Sequence, residues 1–174
     1  MPRFSDPEPL GPGHALGGFD CGGSSLNLWL ERHARSAAGA GSARTYVVTD
    51  DEQGRVVGYH ALTVATLEHQ DATARAAKGM PRHEIPAVLL ARLAVDESVK
   101  GRGIGAVLLR DAMMRALAVS EEAGIRLLVV HALDEAARAF YLHFGFEPSP
   151  TDPMNLQMLI KDIRVSLEAA AAKR

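Results

Sequence analysis

Residues 85–95 constrain the fold more than any other segment. They read Ile85-Pro86-Ala87-Val88-Leu89-Leu90-Ala91-Arg92-Leu93-Ala94-Val95, apolar almost throughout. A strand with one wet face alternates apolar and polar residues, so this run predicts a central strand buried on both faces. Pro86 stands near its start, where a missing N–H matters least. Beyond a glycine-rich stretch, Leu108, Leu109, Ala112, Met113, Ala116 and Leu117 recur at steps of three and four, the spacing of a helix. Gly124 ends that connection, and Ile125-Arg126-Leu127-Leu128-Val129-Val130-His131 reads as a second buried strand. Strand, helix, strand implies a right-handed parallel crossover, which makes the class α/β.

The flanking sequence adds antiparallel and helical pieces. Ser24 or Ser25 is placed to cap a helix carrying Leu26, Leu28, Trp29, Leu30 and Ala34, which Ala40-Gly41-Ser42 breaks. Arg44 to Thr49 and Val56 to Val64 read as a hairpin around Asp51-Glu52-Gln53-Gly54. Residues 67–84 lack periodicity and predict an exposed excursion. Asp134 caps a short helix from Glu135 to His143, closed by Gly145. Leu156 to Ile160 suggests a last strand, giving a mixed sheet with flanking helices. The expected division is an irregular Pro- and Gly-rich arm over 1–18, one domain over 19–161, and a C-terminal helix or tail over 162–174.

Composition narrows the setting. With 174 residues, 47% of them hydrophobic, the chain is long enough for one self-sufficient core. No apolar run approaches the roughly 18–20 residues a bilayer requires, and the start lacks the order of a signal peptide. One cysteine, Cys21, excludes an internal disulfide and a multi-cysteine zinc site. A cytoplasmic protein without membrane contact or bound metal is expected. The net charge of -2 is unevenly spread. Arg75, Lys78 and Arg82 share an acid-free stretch, and Arg32, Arg35 and Arg44 gather earlier, while acids collect at 50–52 and 121–122. Such runs mark either a one-sided surface or plain solvated faces.

The strongest chemical signal is Lys100-Gly101-Arg102-Gly103-Ile104-Gly105, between the first buried strand and the helix. Alternate glycines let the backbone approach a ligand and turn its N–H groups one way, and a helix N-terminus adds its dipole. A pyrophosphate fits such a cradle, with Lys100 and Arg102 at its rim. The same spacing also serves a tight structural bend. A Rossmann dinucleotide loop wants an early βαβ unit and an acid after the second strand, yet this loop lies late and the second strand ends in His131. A Walker loop needs Gly-Lys-Ser/Thr, which is absent.

In its setting the loop resembles one family. Arg92-Leu93-Ala94-Val95-Asp96, then Lys100 to Gly105, then Ala139-Phe140-Tyr141-Leu142-His143-Phe144-Gly145-Phe146 follow the order seen in Gcn5-related N-acetyltransferases (GNAT), with Lys100 where Gln or Arg is commoner. Further pieces are similar to the GNAT toxins of bacterial toxin–antitoxin pairs: Glu8-Pro9-Leu10, Phe19, Leu26, Trp29-Leu30, Ala43 to Val48, Gly58-Tyr59, Ile85-Pro86 and Val130 to Leu133.

That resemblance implies a GNAT fold whose two parallel strands splay, and acetyl-CoA as co-substrate. It implies transfer of acetyl to the α-amino group of aminoacyl-tRNA, which blocks translation, with a ribbon-helix-helix antitoxin as partner and a homodimer as assembly. Leu93, Ala94 and Val95, with Lys100, Gly101, Arg102, Gly103, Ile104, Gly105 and Ala106, would hold the coenzyme, and the Val95 N–H would face the thioester carbonyl. Tyr141 stands at the position of the family's general acid, and a phenol suits that task. Arg75, Lys78 and Arg82 are the candidate RNA contacts, an assignment the overall charge does not favour.

The same residues have plainer readings. Tyr141 suits a packed aromatic cluster, His131 and His143 a structural or solvent-facing place, His60 and Glu84 a place near the substrate side without proton-transfer work, and Cys21 a glycine-rich loop away from the cleft. Two other functions stay open: acetylation of a small amine or protein, and a non-catalytic coenzyme A-binding partner of an antitoxin.

Overall fold

The computed structural model describes residues 3–174. Its seven strands lie in one sheet in the order β1-β2-β3-β4-β5-β7-β6. Strands β1 (Glu8–Pro9), β2 (Arg44–Asp50) and β3 (Arg55–Leu67) come first, then β4 (Ile85–Val95), β5 (Leu127–His131), β6 (Glu147–Pro148) and β7 (Asn155–Leu159). The helices are α1 (Ser24–Arg32), α2 (Ala34–Ala40), α3 (Ala74–Ala77), α4 (Ile104–Glu122), α5 (Glu135–His143) and α6 (Ile160–Ala172). Chain contacts divide these residues into two units, one running through Thr63 and including Ala91–Ala112, the other Val64–Leu90 with Met113–Arg174.

In the first unit β2 pairs antiparallel with both β1 and β3, Tyr46 facing His60 and a bulge falling between Val48 and Thr49. Successive strand residues enter opposite cores. Val47, Val56, Tyr59 and Ala94 pack with Phe19, Leu30 and Ala34. Val48 and Val57 pack with Val99, Ile104 and Leu108, where Leu93 and Val95 join them. Period-two side chains thus fill both faces, which is why the apolar runs lack alternation. Each fully buried side chain such as Leu108 contributes about 2 kcal/mol. Trp29 stacks on Tyr59 at 6.0 Å, and the Arg92 guanidinium lies 4.2 Å over the Trp29 ring.

The second unit holds the parallel pair. Strands β4 and β5 run in register from Ala87↔Leu127 to Leu90↔Val130, and β7 pairs antiparallel with β5 and with β6. Ile85, Ala87, Leu127, Val129 and Leu159 form its core with Ala72 and Ala76.

Several elements differ from the sequence reading. Neither serine caps α1: Gly23 precedes it with no side-chain hydrogen bond, and the helix breaks at His33 before α2 restarts. The arm expected to be irregular supplies β1, and Leu16 within it is buried. The 67–84 excursion contains a 3-10 turn and α3, capped by the Thr73 hydroxyl and seated through Ala72 and Ala76. Strand β5 starts at Leu127, and the Arg126 side chain just before it donates to the carbonyls of Arg75, Ala76 and Lys78 at the end of α3. The C-terminal segment is helical and begins directly after β7. Among the described residues no helix is long and apolar enough to cross a membrane.

Candidate active site

The glycine loop is built by the residues before it. Strand β4 ends at Val95, and the Asp96 carboxylate caps a 3-10 turn by accepting from Ser98 N. Buried Val99 anchors that turn, and Gly101 and Gly103 then adopt φ of +80° and +81°, a region costly for any side chain. A Cβ at either glycine would meet nothing within 4 Å. Tight packing is therefore not the reason for glycine here; backbone conformation is, and the space before it is open. The Gly103 carbonyl accepts from Val107 N, so α4 starts at Ile104. The amides of Ile104, Gly105 and Ala106 then have no intrahelical partner. Oriented free amides, a positive dipole end and open space fit a pyrophosphate.

The strand leading in has a matching feature. Strand β5 pairs parallel with β4 from Ala87↔Leu127 to Leu90↔Val130 and antiparallel with β7 along its whole length, His131 facing Asn155. Ala91 through Val95 continue β4 beyond Leu90 up to the turn that precedes the glycine loop. Leu93 and Val95 send their side chains into the core beside α4 and Ala94 sends its own to the opposite core, so what this stretch can offer a ligand is backbone.

The rim cations differ from expectation. Lys100 Nζ donates to the Cys21 carbonyl at 2.9 Å and to Glu97, so its charge is committed within the protein. Arg102 is exposed and, among the described residues, has no such partner.

Tyr141 lies in the second unit on α5, a helix capped by the Asp134 carboxylate and ended by Gly145 at φ +95°. It is 6% exposed, with its ring 5.2 Å from Phe140 and 5.5 Å from Phe146. Burial pushes its phenol above the ordinary value of 10, and among the described residues no hydrogen bond reaches the hydroxyl. Tyr59 is the contrast: fully buried, it donates to the Leu26 carbonyl at 2.7 Å. One buried phenol is spent on structure. The other is not.

The remaining candidates are placed as follows. His60 is fully buried, stacked on Tyr46 and 2.7 Å from Asp111 of α4, inside the core. His131 is bonded to Asn155, and His143 is exposed at the end of α5 beside Phe144. Glu84 and Arg82 line an open cavity of about 560 Å³ with Glu68, His69 and His83. Cys21 is buried. Arg75 is not a free cation: it grips Asp162 with two bonds of 2.8 and 3.0 Å and reaches Glu147 at 3.1 Å. Arg35 and Arg44 donate to backbone carbonyls. Among the described residues no cluster of three His, Cys, Asp or Glu is arranged for a metal.

Sequence reasoning passed over Asp96. Its buried carboxylate accepts from Asp20 N, Ser98 N, Ser98 Oγ and Arg55 Nη1. Burial alone would raise its pKa, but these donors outweigh that and hold it at about 2. The available signal was an aspartate closing an apolar strand, with a serine two places on.

Sheet order, strand end and glycine loop together define an acyl-coenzyme A-binding acetyltransferase architecture. Residues 41–148 match the Acetyltransferase (GNAT) domain family, and the chain belongs to it. It is 42% identical to the tRNA-acetylating toxin of Mycobacterium tuberculosis (strain ATCC 25618 / H37Rv), over 94% of this chain and 97% of that protein. Two solved structures are also similar. AtaT complexed with acetyl-methionyl-tRNAfMet has a TM-score of 0.87 and 31% identity, covering 95% of this chain and 99% of that one. A tyrosine-to-phenylalanine mutant of AtaT, bound to the C-terminus of the antitoxin AtaR and acetyl-CoA, has a TM-score of 0.78 and 31% identity, covering 94% and 97%.

Proposed function

We propose that this chain is an acetyl-CoA-dependent N-acetyltransferase that acetylates the α-amino group of aminoacyl-tRNA and so blocks translation. The observation that carries the reading is the open, left-handed glycine loop set between the end of β4 and the first turn of α4. Identity of 42% to a tRNA-acetylating toxin over nearly the full chain supports the acceptor.

Acetyl-CoA supplies an acetyl group activated as a thioester. Backbone groups of Leu93 and Val95 pair with its pantetheine arm, and the Val95 N–H donates to the carbonyl oxygen, where one such donor is worth about 3–4 kcal/mol. The amides from Gly101 to Ala106 bind the pyrophosphate, with Arg102 as the cation beside it. The α-amine of an aminoacyl ester is less basic than that of lysine, so its neutral fraction at neutral pH suffices without a strong protein base. It attacks directly, and no acyl-enzyme on Cys21 is needed. As the amine nitrogen bonds to the acetyl carbon the C–S bond breaks, and Tyr141 gives its hydroxyl proton to the departing sulfur. The proton shed by the acetylated nitrogen passes through water to restore the phenol. Its raised pKa keeps that proton in place through the working pH range.

Lys78 and Arg82 are the cations offered to acceptor phosphates, since Arg75 is held by two carboxylates. An antitoxin of ribbon-helix-helix type, a homodimer and a cytoplasmic site of action complete the reading. The test is transfer of label from acetyl-CoA to charged tRNA by the purified protein. Label on the aminoacyl ester supports the proposal; label on polyamines or peptides and never on charged tRNA rejects it.

A further inference from the structure

The donor loop does not stand alone; it is buttoned to the N-terminal segment Asp20–Gly22. Glu97 N donates to the Asp20 carbonyl at 2.8 Å, Asp20 N donates to Asp96 Oδ2 at 3.0 Å, and Lys100 Nζ donates to the Cys21 carbonyl at 2.9 Å. The segment is itself tied to α1, because Cys21 N donates to Asn27 Oδ1 and Asn27 Nδ2 donates to Asp20 Oδ1. Asp96 also reaches the sheet, its own N–H donating to the Val57 carbonyl at 2.8 Å. One carboxylate thus gathers strand, N-terminal segment and turn, and its side chain is only 6% exposed.

We infer that Asp96 is a positioning residue for the acetyl donor, fixing the turn from Glu97 to Gly103 against Asp20 so that the loop amides are set before the donor arrives. This rests on the proposed coenzyme reading and adds a cause for the loop's shape. Gly101 and Gly103 are free to take many conformations, so glycine alone cannot hold the cradle. A carboxylate satisfied by four donors can, at no cost in the contacts the ligand needs. Lys100 belongs to the same clasp, its Nζ shared between the Cys21 carbonyl and the Glu97 carboxylate.

The experiment compares wild type, Asp96→Asn and Arg55→Met by calorimetry with acetyl-CoA and by steady-state kinetics with both substrates. Asp96→Asn is expected to raise KM for acetyl-CoA about tenfold, the scale of one lost charge-assisted hydrogen bond. Turnover recovers at saturating donor, and KM for aminoacyl-tRNA stays put. Arg55→Met removes the guanidinium that donates to Asp96 Oδ2 and Ser98 Oγ while leaving the other three donors to the carboxylate, and shifts donor KM in the same direction by less. If wild type itself shows no affinity for acetyl-CoA, the proposed function fails. If wild type binds and folded Asp96→Asn binds equally well, the inference is overturned. A loss in turnover or acceptor KM with donor KM unchanged overturns it too. Should Asp96→Asn fail to fold, Arg55→Met decides by the same donor KM.

Discussion

Tyr141→Phe and Tyr59→Phe make the same chemical change at two buried phenols and should have opposite consequences. The Tyr59 hydroxyl donates to the Leu26 carbonyl at 2.7 Å, so its removal forfeits one buried hydrogen bond, about 1 kcal/mol of stability. Among the described residues the Tyr141 hydroxyl has no such partner, so Tyr141→Phe should change stability by less than about 0.5 kcal/mol. Ring packing against Phe140 and Phe146 survives in either case of that exchange. Activity should sort the other way. Loss of a general acid lowers turnover about 10²–10⁴-fold, or roughly 3–5 kcal/mol of barrier. Thermal melts read the first quantity, and acetyl transfer to charged tRNA at saturating acetyl-CoA reads the second. Donor affinity, measured by calorimetry, should stay at the wild-type value for Tyr141→Phe. A Tyr141→Phe protein that keeps most of its turnover, or whose lost activity tracks a lost melting temperature, would refute the assignment.

Gly103→Ala forces a side chain into a φ of +81°, which costs about 1–2 kcal/mol, and should also cut acetyl-CoA affinity; full affinity in the folded variant means the loop is only a bend. Arg75→Gln should leave acceptor KM unchanged and lower the melting temperature only slightly, since its ion pairs are half-exposed, whereas Arg82→Gln should raise acceptor KM. Asp96 is held at about 2 against an ordinary 3.8, a depressed carboxylate that stabilises the fold above pH 3.8 and loses that contribution as pH falls toward 2. The shift is worth about 2 kcal/mol, so the stability gap between wild type and Asp96→Asn in denaturant melts should be full at neutral pH and shrink through that acid window.

The parts of the fold that were legible carry their reason in their own residues. Strand β4 could be read because both its faces are buried, so every position from Ile85 to Val95 except Arg92 is apolar. Helix α5 could be read to the residue, because the Asp134 cap and the Gly145 stop are local chemistry. The two-residue strands could not. Glu8-Pro9 and Glu147-Pro148 are ordinary loop dipeptides, extended only because β2 and β7 offer them an edge. For the site, the glycine loop was visible and its buttress was not, since Asp20 and Asp96 meet across 76 positions.

Charge shows the same limit, and with a functional consequence. A net charge of -2 argues against a polyanionic acceptor only if charges act as a sum. In the folded chain many acids and bases cancel in place: Asp96 with Arg55, Asp162 and Glu147 with Arg75, Glu97 with Lys100, Glu121 with Arg164. Pairs at contact distance contribute little field beyond about a Debye length of 8–10 Å, so they neither attract nor repel a distant phosphate. What an acceptor meets is the remainder, and the exposed cations without an ion-pair partner among the described residues include Lys78, Arg82 and Arg102. On the proposed reading Arg102 goes with the donor's pyrophosphate, which leaves Lys78 and Arg82 on the 67–84 segment for the acceptor. A total charge below zero is therefore no argument against a polyanionic acceptor, because paired charges drop out of the sum an approaching phosphate meets.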